Sequence, residues 1–330
     1  MSRKMVGFTS IFNPRYNIAT EYIRQTHSHS PTNLELDLNL NLNFYKNKMN
    51  DCIKCVKCFK SNSCDTKKTE KDSHTLIPNP ITKPRLSLSS IDQTKIYLQE
   101  NQFIRDKKII SISPGGLKGF YLMGIVAYIK ENYSLEPYIF SGASAGAWNA
   151  LLMTFKKDPI EVTLKIIDDS IKNAKSISEL EHIMKYKILE SYKTDDFDLQ
   201  RLFIGITTIG NFKINTNIYS EFEDLEDAVN CCIASSHIPL ITGGLTTKYN
   251  DVYAFDGGFS KYPYLNITKP VLHITPSMWE TSKQSKQSEI MNYSMLFSKD
   301  KYDFMSLFDK GYNDAKYNKS FLDSVLVLQK

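Results

Sequence analysis

Ser144 lies in the string Gly142-Ala143-Ser144-Ala145-Gly146, which has the spacing G-x-S-x-G. In one class of ester hydrolases this spacing marks a serine nucleophile in a sharp turn between a strand and a helix. Glycines two positions away avoid the clash that side chains would cause in such a turn. The pattern predicts a nucleophile elbow at Ser144, flanked by Gly142 and Gly146. The alternative is a small-residue turn that only packs a helix against a sheet.

A second glycine-rich string, Pro114-Gly115-Gly116-Leu117-Lys118-Gly119, also lies between a strand-like and a helix-like segment. Backbone N–H groups converge in such a loop, and a helix N-terminus adds positive potential, so the loop can hold a developing oxyanion. The same geometry suits a phosphate, but the string lacks both G-x-G-x-x-G and the Lys-Ser/Thr pair of a P-loop. An oxyanion site and a structural turn both remain open.

Asp256 is followed by Gly257 and Gly258 and preceded by the strand-like segment 252–255. An aspartate at a strand end can accept a proton from a serine or orient a base. A bare D-G-G string is more typical of a turn. An aspartate with a pKa near 4 is also a weak base unless burial favours its protonated form. The chemistry therefore depends on the surroundings of Asp256.

The order of four strings, PGGLKG, GASAG, ASSHIP (234–239) and DGG, resembles the patatin-like phospholipase family. The pattern of that family is a glycine-rich loop G-G-G-x-Arg/Lys-G, a G-x-S-x-G serine, A-S-x-x-x-P and a D-G-G/A aspartate. The resemblance spans about residues 115–258 and continues in the helical segment 307–317. It implies an α/β fold with three α/β/α layers around a patatin-like sheet.

The resemblance also implies residue roles. Ser144 is the implied nucleophile and Asp256 its partner in a Ser–Asp dyad, with no catalytic histidine. The implied oxyanion hole is formed by Gly115, Gly116, Leu117, Lys118 and Gly119. The chain departs from the family pattern at Pro114, which replaces a glycine and offers no N–H donor. The family's usual asparagine after D-G-G is also not evident in FSKYPYL.

The implied activity is that of a lipid acyl hydrolase of the phospholipase A or lysophospholipase type, which forms an acyl-enzyme on Ser144. No cofactor and no metal at the hydrolytic site are implied. The expected partner is an ester lipid in membranes or micelles, reached by transient contact with the membrane surface. The net charge of +5 suits an anionic surface slightly and is too small to indicate nucleic acid as a partner.

Two other functions remain open. Ser144, Asp256 and His273 occur in the chain order of an α/β-hydrolase Ser-Asp-His esterase. His273 lies inside the strand-like VLHIT, however, where a packed histidine is the more common finding. The second alternative is a lipid-binding module that keeps the fold without catalysis. His182 and His237 are interpreted as structural.

From residue 107 onward the chain alternates short β-branched runs with helical periodicity, which is typical of an α/β sheet. The expected strands are 107–113, 137–141, 203–208, 212–215, 253–255 and 271–275. The expected helices are 119–132, a segment ending at Phe155, 159–173, 178–191, 225–235 and a helical C-terminus. We interpret residues 96–330 as the patatin-like domain.

Residues 1–95 are predicted to be a low-complexity, largely disordered extension, with at most a lone strand at Asn39 to Phe44. Gly7 is the only glycine before Gly115. The extension contains a Lys-rich cluster of four cysteines: Cys52, Cys55, Cys58 and Cys64. Thiolate ligation of a metal and S-acylation at a membrane are both compatible with this cluster, as is no specific role.

The composition is that of a folded protein, with 42% hydrophobic and 23% charged residues. No apolar run reaches the length of a membrane-spanning helix, and the N-terminus lacks the apolar stretch of a secretory signal. Six cysteines, four of them in one short stretch, do not resemble a secreted disulfide framework. We expect a cytoplasmic protein with peripheral membrane association.

Overall fold

The computed structural model of the protein describes residues 86–210, 213–260, 262–265, 268–279 and 298–329. The predicted strand at Asn39 to Phe44 and the four-cysteine cluster lie outside these residues. Within them, eight strands form one mixed sheet. In chain order they are β1 (Leu86–Leu88), β2 (Lys108–Ile112), β3 (Tyr138–Gly142), β4 (Leu202–Gly210), β5 (Lys213–Ser220), β6 (Thr247–Tyr249), β7 (Val252–Phe255) and β8 (Leu272–Ile274).

The helices of the described residues lie between these strands and at the C-terminus. They are α1 (Ile91–Glu100), α2 (Gln102–Arg105), α3 (Gly119–Asn132), α4 (Ala145–Thr154), α5 (Pro159–Ile166), α6 (Asp169–Asn173), α7 (Ile177–Ser191), α8 (Leu225–Ser235), α9 (Phe304–Tyr317) and α10 (Lys319–Val325). Short 3₁₀ turns include Gly116–Lys118, between β2 and α3, and Gly257–Phe259, after β7. Both turns belong to the glycine strings singled out above.

The sheet has the strand order β1-β5-β4-β3-β2-β8. Strand β2 pairs in parallel with β3 and β8, and β3 pairs in parallel with β4. Strand β4 also pairs antiparallel with β5 and β7. The carboxyl ends of parallel strands meet at one edge of a sheet, where open α/β folds hold their ligands. The glycine loop after β2 and the serine turn after β3 therefore begin at the same edge.

Buried side chains on the two faces of the sheet belong to two hydrophobic cores. Along β2, Ile110 and Ile112 join the larger core, whereas Ile109 joins the smaller one. This alternation follows from the two-residue period of a strand. The larger core includes side chains of α3, α4, α7, α8 and α9, and the smaller core includes Ile104 of α2. The central sheet is thus flanked by helices, which confirms the predicted three-layer α/β fold.

Helices α3 and α9 pack closely in the larger core. A Cβ atom on Gly124 would lie 2.0 Å from the Phe308 carbonyl oxygen, and one on Gly311 would lie 1.9 Å from that of Tyr121. The rings of Phe120 and Phe304 stack with centroids 4.3 Å apart. The C-terminal helix is therefore an integral part of the domain, beside the helix that follows the glycine loop.

The described fold includes residues before position 96, where the domain was predicted to start. This boundary falls inside α1, and β1 before it pairs antiparallel with β5. Ser90 caps α1 by accepting the N–H of Gln93, and Leu88 is buried in the smaller core. The alternation of apolar and polar residues in RLSLSS was therefore the signal of a short edge strand.

Two other predicted elements differ from the structure. The segment 159–173 is not continuous, because α5 ends at Ile166 and the Asp168 carboxylate caps a new helix, α6. The predicted strand 212–215 is part of β5, which continues to Ser220 because it pairs with β1 as well as β4. None of the helices in the described ranges is both long and apolar enough to cross a membrane.

Candidate active site

Ser144 lies in a tight turn between β3 and α4. Its backbone has φ 56° and ψ −131°, a region that is costly for a residue with a side chain and that persists only where the surrounding structure enforces it. Both flanking glycines are required by close backbone contacts. A Cβ atom on Gly142 would lie 2.1 Å from the Gly146 carbonyl oxygen, and one on Gly146 would lie 2.1 Å from that of Ile112. The sequence therefore forms an elbow here.

The elbow is fixed by a hydroxyl from helix α8. The Ser144 N–H donates to Ser235 Oγ at 2.8 Å, and the Ser235 hydroxyl donates to the Gly205 carbonyl oxygen at 2.7 Å. Ser235 belongs to the string ASSHIP, whose order in the chain was noted without a role for this residue. Its hydroxyl connects α8, β4 and the serine turn, and so holds the strained backbone in place.

The Asp256 carboxylate lies directly beside the serine hydroxyl. Ser144 Oγ donates to Asp256 Oδ2 at 2.7 Å, and the Gly258 N–H donates to Asp256 Oδ1 at 2.6 Å. The backbone of Asp256 is held as well, since its N–H donates to the His237 carbonyl oxygen and its own carbonyl accepts from Thr207 Oγ1. Strand β7, paired with β4, brings this turn to the end of β3.

Burial makes Asp256 a stronger base than an ordinary aspartate. The residue is 5% exposed. Desolvation raises the pKa of its carboxyl from 3.8 to about 6, although the hydrogen bonds from Ser144 and Gly258 act in the opposite direction. A carboxylate with a pKa near 6 is still ionised at neutral pH and accepts a proton more readily than one near 4. The chemistry that an aspartate base requires is thus present.

The glycine loop lies against the serine elbow. A Cβ atom on Gly119 would be 2.9 Å from Cβ of Ala145, and Gly116 has the positive φ of 52° that glycine readily adopts. The Lys118 and Gly119 N–H groups donate to carbonyl oxygens of the same turn. The N–H groups of Gly116 and Leu117 have no partner among the described residues, as is usual at the start of a helix.

The residues of the predicted oxyanion segment therefore differ in whether their backbone N–H groups are available to a ligand. Gly116 and Leu117 can offer N–H donors, whereas those of Lys118 and Gly119 are already used. Pro114 lies next to the Asp256 turn, because a Cβ atom on Gly258 would be 3.1 Å from Cβ of Pro114. Proline has no N–H to contribute, and at this place it packs beside the turn that carries the carboxylate.

A mainly apolar cavity opens beside Ser144, as a site for an acyl chain requires. Its lining includes Gly116, Leu117, Phe120, Trp148, Leu180 and Met184. Besides Ser144, its polar lining residues are Asn149, Glu181 and Ser236. Burial raises the pKa of Glu181 to about 8; the nearby Asp256 charge adds to this rise and a hydrogen bond with Ser236 opposes it.

Sequence reasoning missed the cavity residues Trp148, Asn149 and Glu181. Glu181 lies in a helix with many charged residues, and in the sequence nothing distinguishes it from the exposed Glu190. Its burial results from the packing of α7 on α5 and α8. Asn149 lies one helical turn after Ala145 of the elbow. This spacing was the one feature of the sequence that could have indicated its place in the cavity.

The three histidines among the described residues take no part in the contact between Ser144 and Asp256. His273 Nδ1 is 2.7 Å from Ser111 Oγ, and its ring packs edge-on against Tyr264. It lies on β8, two strands from β3, which is about 10 Å across a sheet. The carbonyl oxygen of His237 supports the Asp256 backbone, while its ring contacts Gly244 and Thr242. His182 contacts the carbonyl oxygen of its own helix at Ser178.

Neither of the two cysteines among the described residues lines the cavity at this site. Cys231 and Cys232 are buried thiols of α8. Burial raises the pKa of Cys232 well above its ordinary value, so this thiol stays neutral. Within the part of the chain that the structure describes, no group of three or more His, Cys, Asp or Glu side chains is arranged to hold a metal ion.

The fold and the site define a class: a mixed α/β domain with a serine on a strained strand-to-helix turn and a buried carboxylate beside it. Residues 110–265 match the family model described as patatin-like phospholipase, so this part of the chain is similar to that family. The matched range begins in β2 and includes Ser144 and Asp256. A comparison with curated proteins gave no match. The family acts on lipid esters as an acyl hydrolase.

Proposed function

We propose that the protein is a lipid acyl hydrolase of the phospholipase A or lysophospholipase type, with Ser144 as nucleophile and Asp256 as its base. The observation that carries this proposal is the 2.7 Å hydrogen bond from Ser144 Oγ to Asp256 Oδ2. Serine is a weak nucleophile until a held base takes its proton. A direct contact between the two side chains leaves no place for a histidine between them.

In the first half of the reaction, Ser144 Oγ attacks the ester carbonyl carbon as its proton passes to Asp256. The carbonyl oxygen becomes an oxyanion, which the Gly116 and Leu117 N–H groups stabilise. The intermediate then breaks its bond to the alcohol oxygen, which takes the proton from Asp256 and leaves. The acyl group remains bound to Ser144 as an ester.

In the second half, Asp256 takes a proton from a water molecule, whose oxygen attacks the acyl-enzyme carbonyl. The second tetrahedral intermediate uses the same two N–H donors. Its collapse breaks the bond to Ser144 Oγ, which takes back the proton from Asp256, and the fatty acid is released. Every proton transfer thus uses one carboxyl group with a pKa near 6.

The cavity supports a lipid substrate. Trp148, Leu180 and Met184 offer apolar surface beside Ser144, and burial of an acyl chain there contributes about 25 cal/mol per Å² removed from water. The alcohol part of the ester is expected to stay near the lipid surface, where the protein makes transient contact. The acyl chain is thus the part of the substrate that the cavity selects.

Labelling with a fluorophosphonate serine probe tests this function, together with fatty-acid release from mixed phospholipid vesicles. We expect wild type to label and to release fatty acid, and Ser144→Ala and Asp256→Asn to do neither. His273→Ala is the matched control, since its ring is hydrogen-bonded to Ser111. Loss of activity in this control would favour a triad. A wild-type protein that neither labels nor releases fatty acid would be a lipid-binding module.

A further inference from the structure

Strand β4 extends beyond the edge of the sheet at which Ser144 lies. Its parallel pairing with β3 ends at Gly142 and Ile204, directly before the serine turn. Strand β4 then continues, and β7 takes the place of β3 beside it. At about 3.3 Å per residue, Ile209 lies about 16 Å beyond Ile204 along the strand. Strands β5, β4, β7 and β6 therefore form a ribbon that projects from the catalytic edge.

One residue from each strand of this ribbon belongs to a row across one face. Ile209 of β4 is paired with Ile214 of β5 and with Tyr253 of β7, and Tyr253 is paired with Lys248 of β6. Directly paired residues place their side chains on the same face of a sheet. Neighbouring strands are about 4.8 Å apart, so the row is about 14 Å long. We call these four residues the ribbon row.

The ribbon row is exposed, whereas the opposite face of the ribbon is covered. The exposed fractions are 38% for Ile209, 46% for Ile214 and 53% for Tyr253. One position along the same strands, Thr208 and Ala254 are 4% and 0% exposed, because α8 packs on that side. Single exposed apolar side chains are common, but three in paired positions form a continuous apolar surface.

The size and composition of the ribbon row fit a lipid layer better than a second copy of the chain. Three side chains that are about half exposed offer on the order of 300 Å², whereas a stable protein interface takes about 800 Å² from each partner. Tyrosine is enriched where lipid meets water, because its ring is apolar and its hydroxyl is polar. The Lys248 ammonium lies 5.7 Å from the centroid of the Tyr253 ring, where it can meet headgroup phosphates.

We propose that the ribbon row docks the protein on a phospholipid layer, with its three apolar side chains in the lipid and Lys248 at the headgroups. This inference rests on the proposed hydrolase function for the nature of the partner. Docking here brings the catalytic edge towards the layer. Thr207 lies two residues before Ile209 on the same face, and its hydroxyl donates to the Asp256 carbonyl oxygen at 2.9 Å.

Vesicle binding of the full chain tests this surface. The parent protein is Ser144→Ala, which lacks the proposed nucleophile and leaves the lipid intact. Its partition into vesicles of equimolar phosphatidylcholine and phosphatidylserine is measured by sedimentation. Adding Ile214→Thr and Tyr253→Thr is expected to weaken the partition by about tenfold or more, because two half-exposed apolar side chains are lost. Threonine keeps the β-branched shape that suits a strand.

A matched control removes apolar surface at the opposite edge of the sheet. Tyr317 of α9 and Phe321 of α10 are 89% and 45% exposed. Helix α3 leads from the catalytic edge back to the start of β3, and α10 is bound at its far end by the hydrogen bond from Tyr133 Oη to Asp323 Oδ1. Tyr317→Gln with Phe321→Gln is expected to leave the partition of the parent protein unchanged.

A tryptophan in the ribbon row measures lipid contact directly. Tyr253→Trp and Tyr317→Trp are compared in vesicles that contain brominated phosphatidylcholine, which quenches tryptophan fluorescence by contact. We expect Tyr253→Trp to be quenched more than the parent protein, whose own tryptophans are Trp148 and Trp279. Tyr317→Trp should show no added quenching.

Hydrolysis of a soluble ester separates this inference from the proposed function. In protein that retains Ser144, Ile214→Thr with Tyr253→Thr should change kcat/KM for 4-nitrophenyl butyrate by less than about twofold, as is usual for surface substitutions. Fatty-acid release from the vesicles should fall about tenfold, in step with binding. Failure to hydrolyse either substrate would overturn the proposed function alone, because partition and quenching are measured without hydrolysis.

Three results would overturn the inference. One is a vesicle partition that is the same with and without Ile214→Thr and Tyr253→Thr. Another is an equal loss of partition in the control at the opposite edge. The third is a wild-type dimer in analytical ultracentrifugation that the ribbon-row variant dissociates, which would make the row an interface between two copies of the chain. Circular dichroism of each variant excludes misfolding as the cause.

Discussion

Two walls of the cavity are each associated with a buried carboxyl group: Asp256 contacts Ser144 of one wall, and Glu181 belongs to the other. On the sheet side, Asp256 accepts hydrogen bonds from Ser144 Oγ and the Gly258 N–H. On the helix side, Glu181 interacts with Ser236, and this hydrogen bond opposes the rise in the pKa of Glu181. Burial raises the pKa of both, to about 6 for Asp256 and about 8 for Glu181.

Burial raises both pKa values, so the donated hydrogen bonds and the repulsion between the two charges decide which carboxyl is ionised at neutral pH. Donated hydrogen bonds stabilise the charged form of Asp256. Its charge in turn disfavours ionisation of Glu181, since two like charges in one cavity repel each other. One wall therefore holds a base and the other a neutral hydrogen-bonding group. Four predictions test this division.

The largest expected effect is on the base itself. Asp256→Asn removes the proton acceptor while keeping the shape of the side chain, and we expect kcat/KM to fall by about 10² to 10⁴, the range for a general base. Glu181→Gln should change kcat/KM for a given ester by less than about tenfold, because it replaces one neutral group by another. Initial rates of fatty-acid release at pH 7.5 measure both changes.

A larger loss of kcat/KM in Glu181→Gln than in Asp256→Asn would contradict the assignment of Asp256 as the base and Glu181 as a neutral group. A Glu181→Gln protein that loses activity as completely as Asp256→Asn would mean that Glu181 acts as a carboxylate. Fluorophosphonate labelling of both variants gives a second measurement, since it reports the reactivity of Ser144 without a lipid substrate. Glu190→Gln, at an exposed position of the same helix α7, serves as the control.

The next effect concerns the serine that holds the elbow. Ser235→Ala leaves both the Ser144 N–H and the Gly205 carbonyl oxygen without their hydroxyl partner, at a cost of about 1 to 3 kcal/mol. We expect kcat to fall about ten- to a hundredfold with a smaller change in KM, because the position of Ser144 is disturbed while the cavity is kept. Ser235→Thr retains the hydroxyl and should restore part of the rate.

Ser236 offers a matched comparison from the adjacent position. Its hydroxyl contacts Trp148 and Glu181, which line the cavity, so Ser236→Ala should act mainly on KM. Steady-state kinetics separate the two variants. Equal effects of Ser235→Ala and Ser236→Ala on kcat and KM would show that the two walls do not act independently.

The parts of the site and fold that the sequence could predict are those with local signals. Gly142, Gly146 and the D-G-G turn were found because their conformations restrict the residue types that fit. The three-layer α/β fold followed from the alternation of apolar runs and helical periodicity. Such signals are local: each lies within a few residues of the feature that it specifies.

The rest of the site depends on packing between distant segments. Glu181 reaches the cavity because α7 packs on α5 and α8, and no local pattern distinguishes it from the exposed glutamates of the same helix. Strand β5 continues to Ser220, and β1 begins at Leu86, because each pairs with the other. The alternation in RLSLSS is a signal of a strand, but the periodicity of neither segment shows that the two strands pair with each other.

The third prediction is the pH dependence of hydrolysis. Asp256 must be ionised to accept a proton, and its pKa is raised to about 6. We expect kcat/KM to rise with pH, to reach half its maximum near pH 6, and to be about tenfold lower at pH 5. Glu181→Gln should leave this acidic limb in place, because Glu181 is neutral over the same range. An acidic limb near pH 4 would show that Asp256 is not desolvated.

The smallest expected effect is on stability. Glu181 has a pKa raised from 4.5 to about 8, so the folded state holds a proton that the unfolded chain releases above pH 4.5. The stabilisation of the neutral acid is present below that pH and is lost as pH rises through 8. Glu181→Gln cannot ionise, and the Tm of this variant relative to wild type should therefore increase from pH 5 to pH 9.

At about 1.4 kcal/mol per pKa unit, the shift of Glu181 corresponds to a few kcal/mol, or on the order of 5 to 10 °C in Tm. Asp256 is present in both proteins, and Cys232 beside Glu181 stays neutral because burial raises its pKa, so neither produces this difference. Calorimetry at pH 5, 7 and 9 measures it, with Glu190→Gln as control. A Tm difference that is constant with pH would mean that Glu181 is already ionised in the fold, and the two walls would then carry like charges.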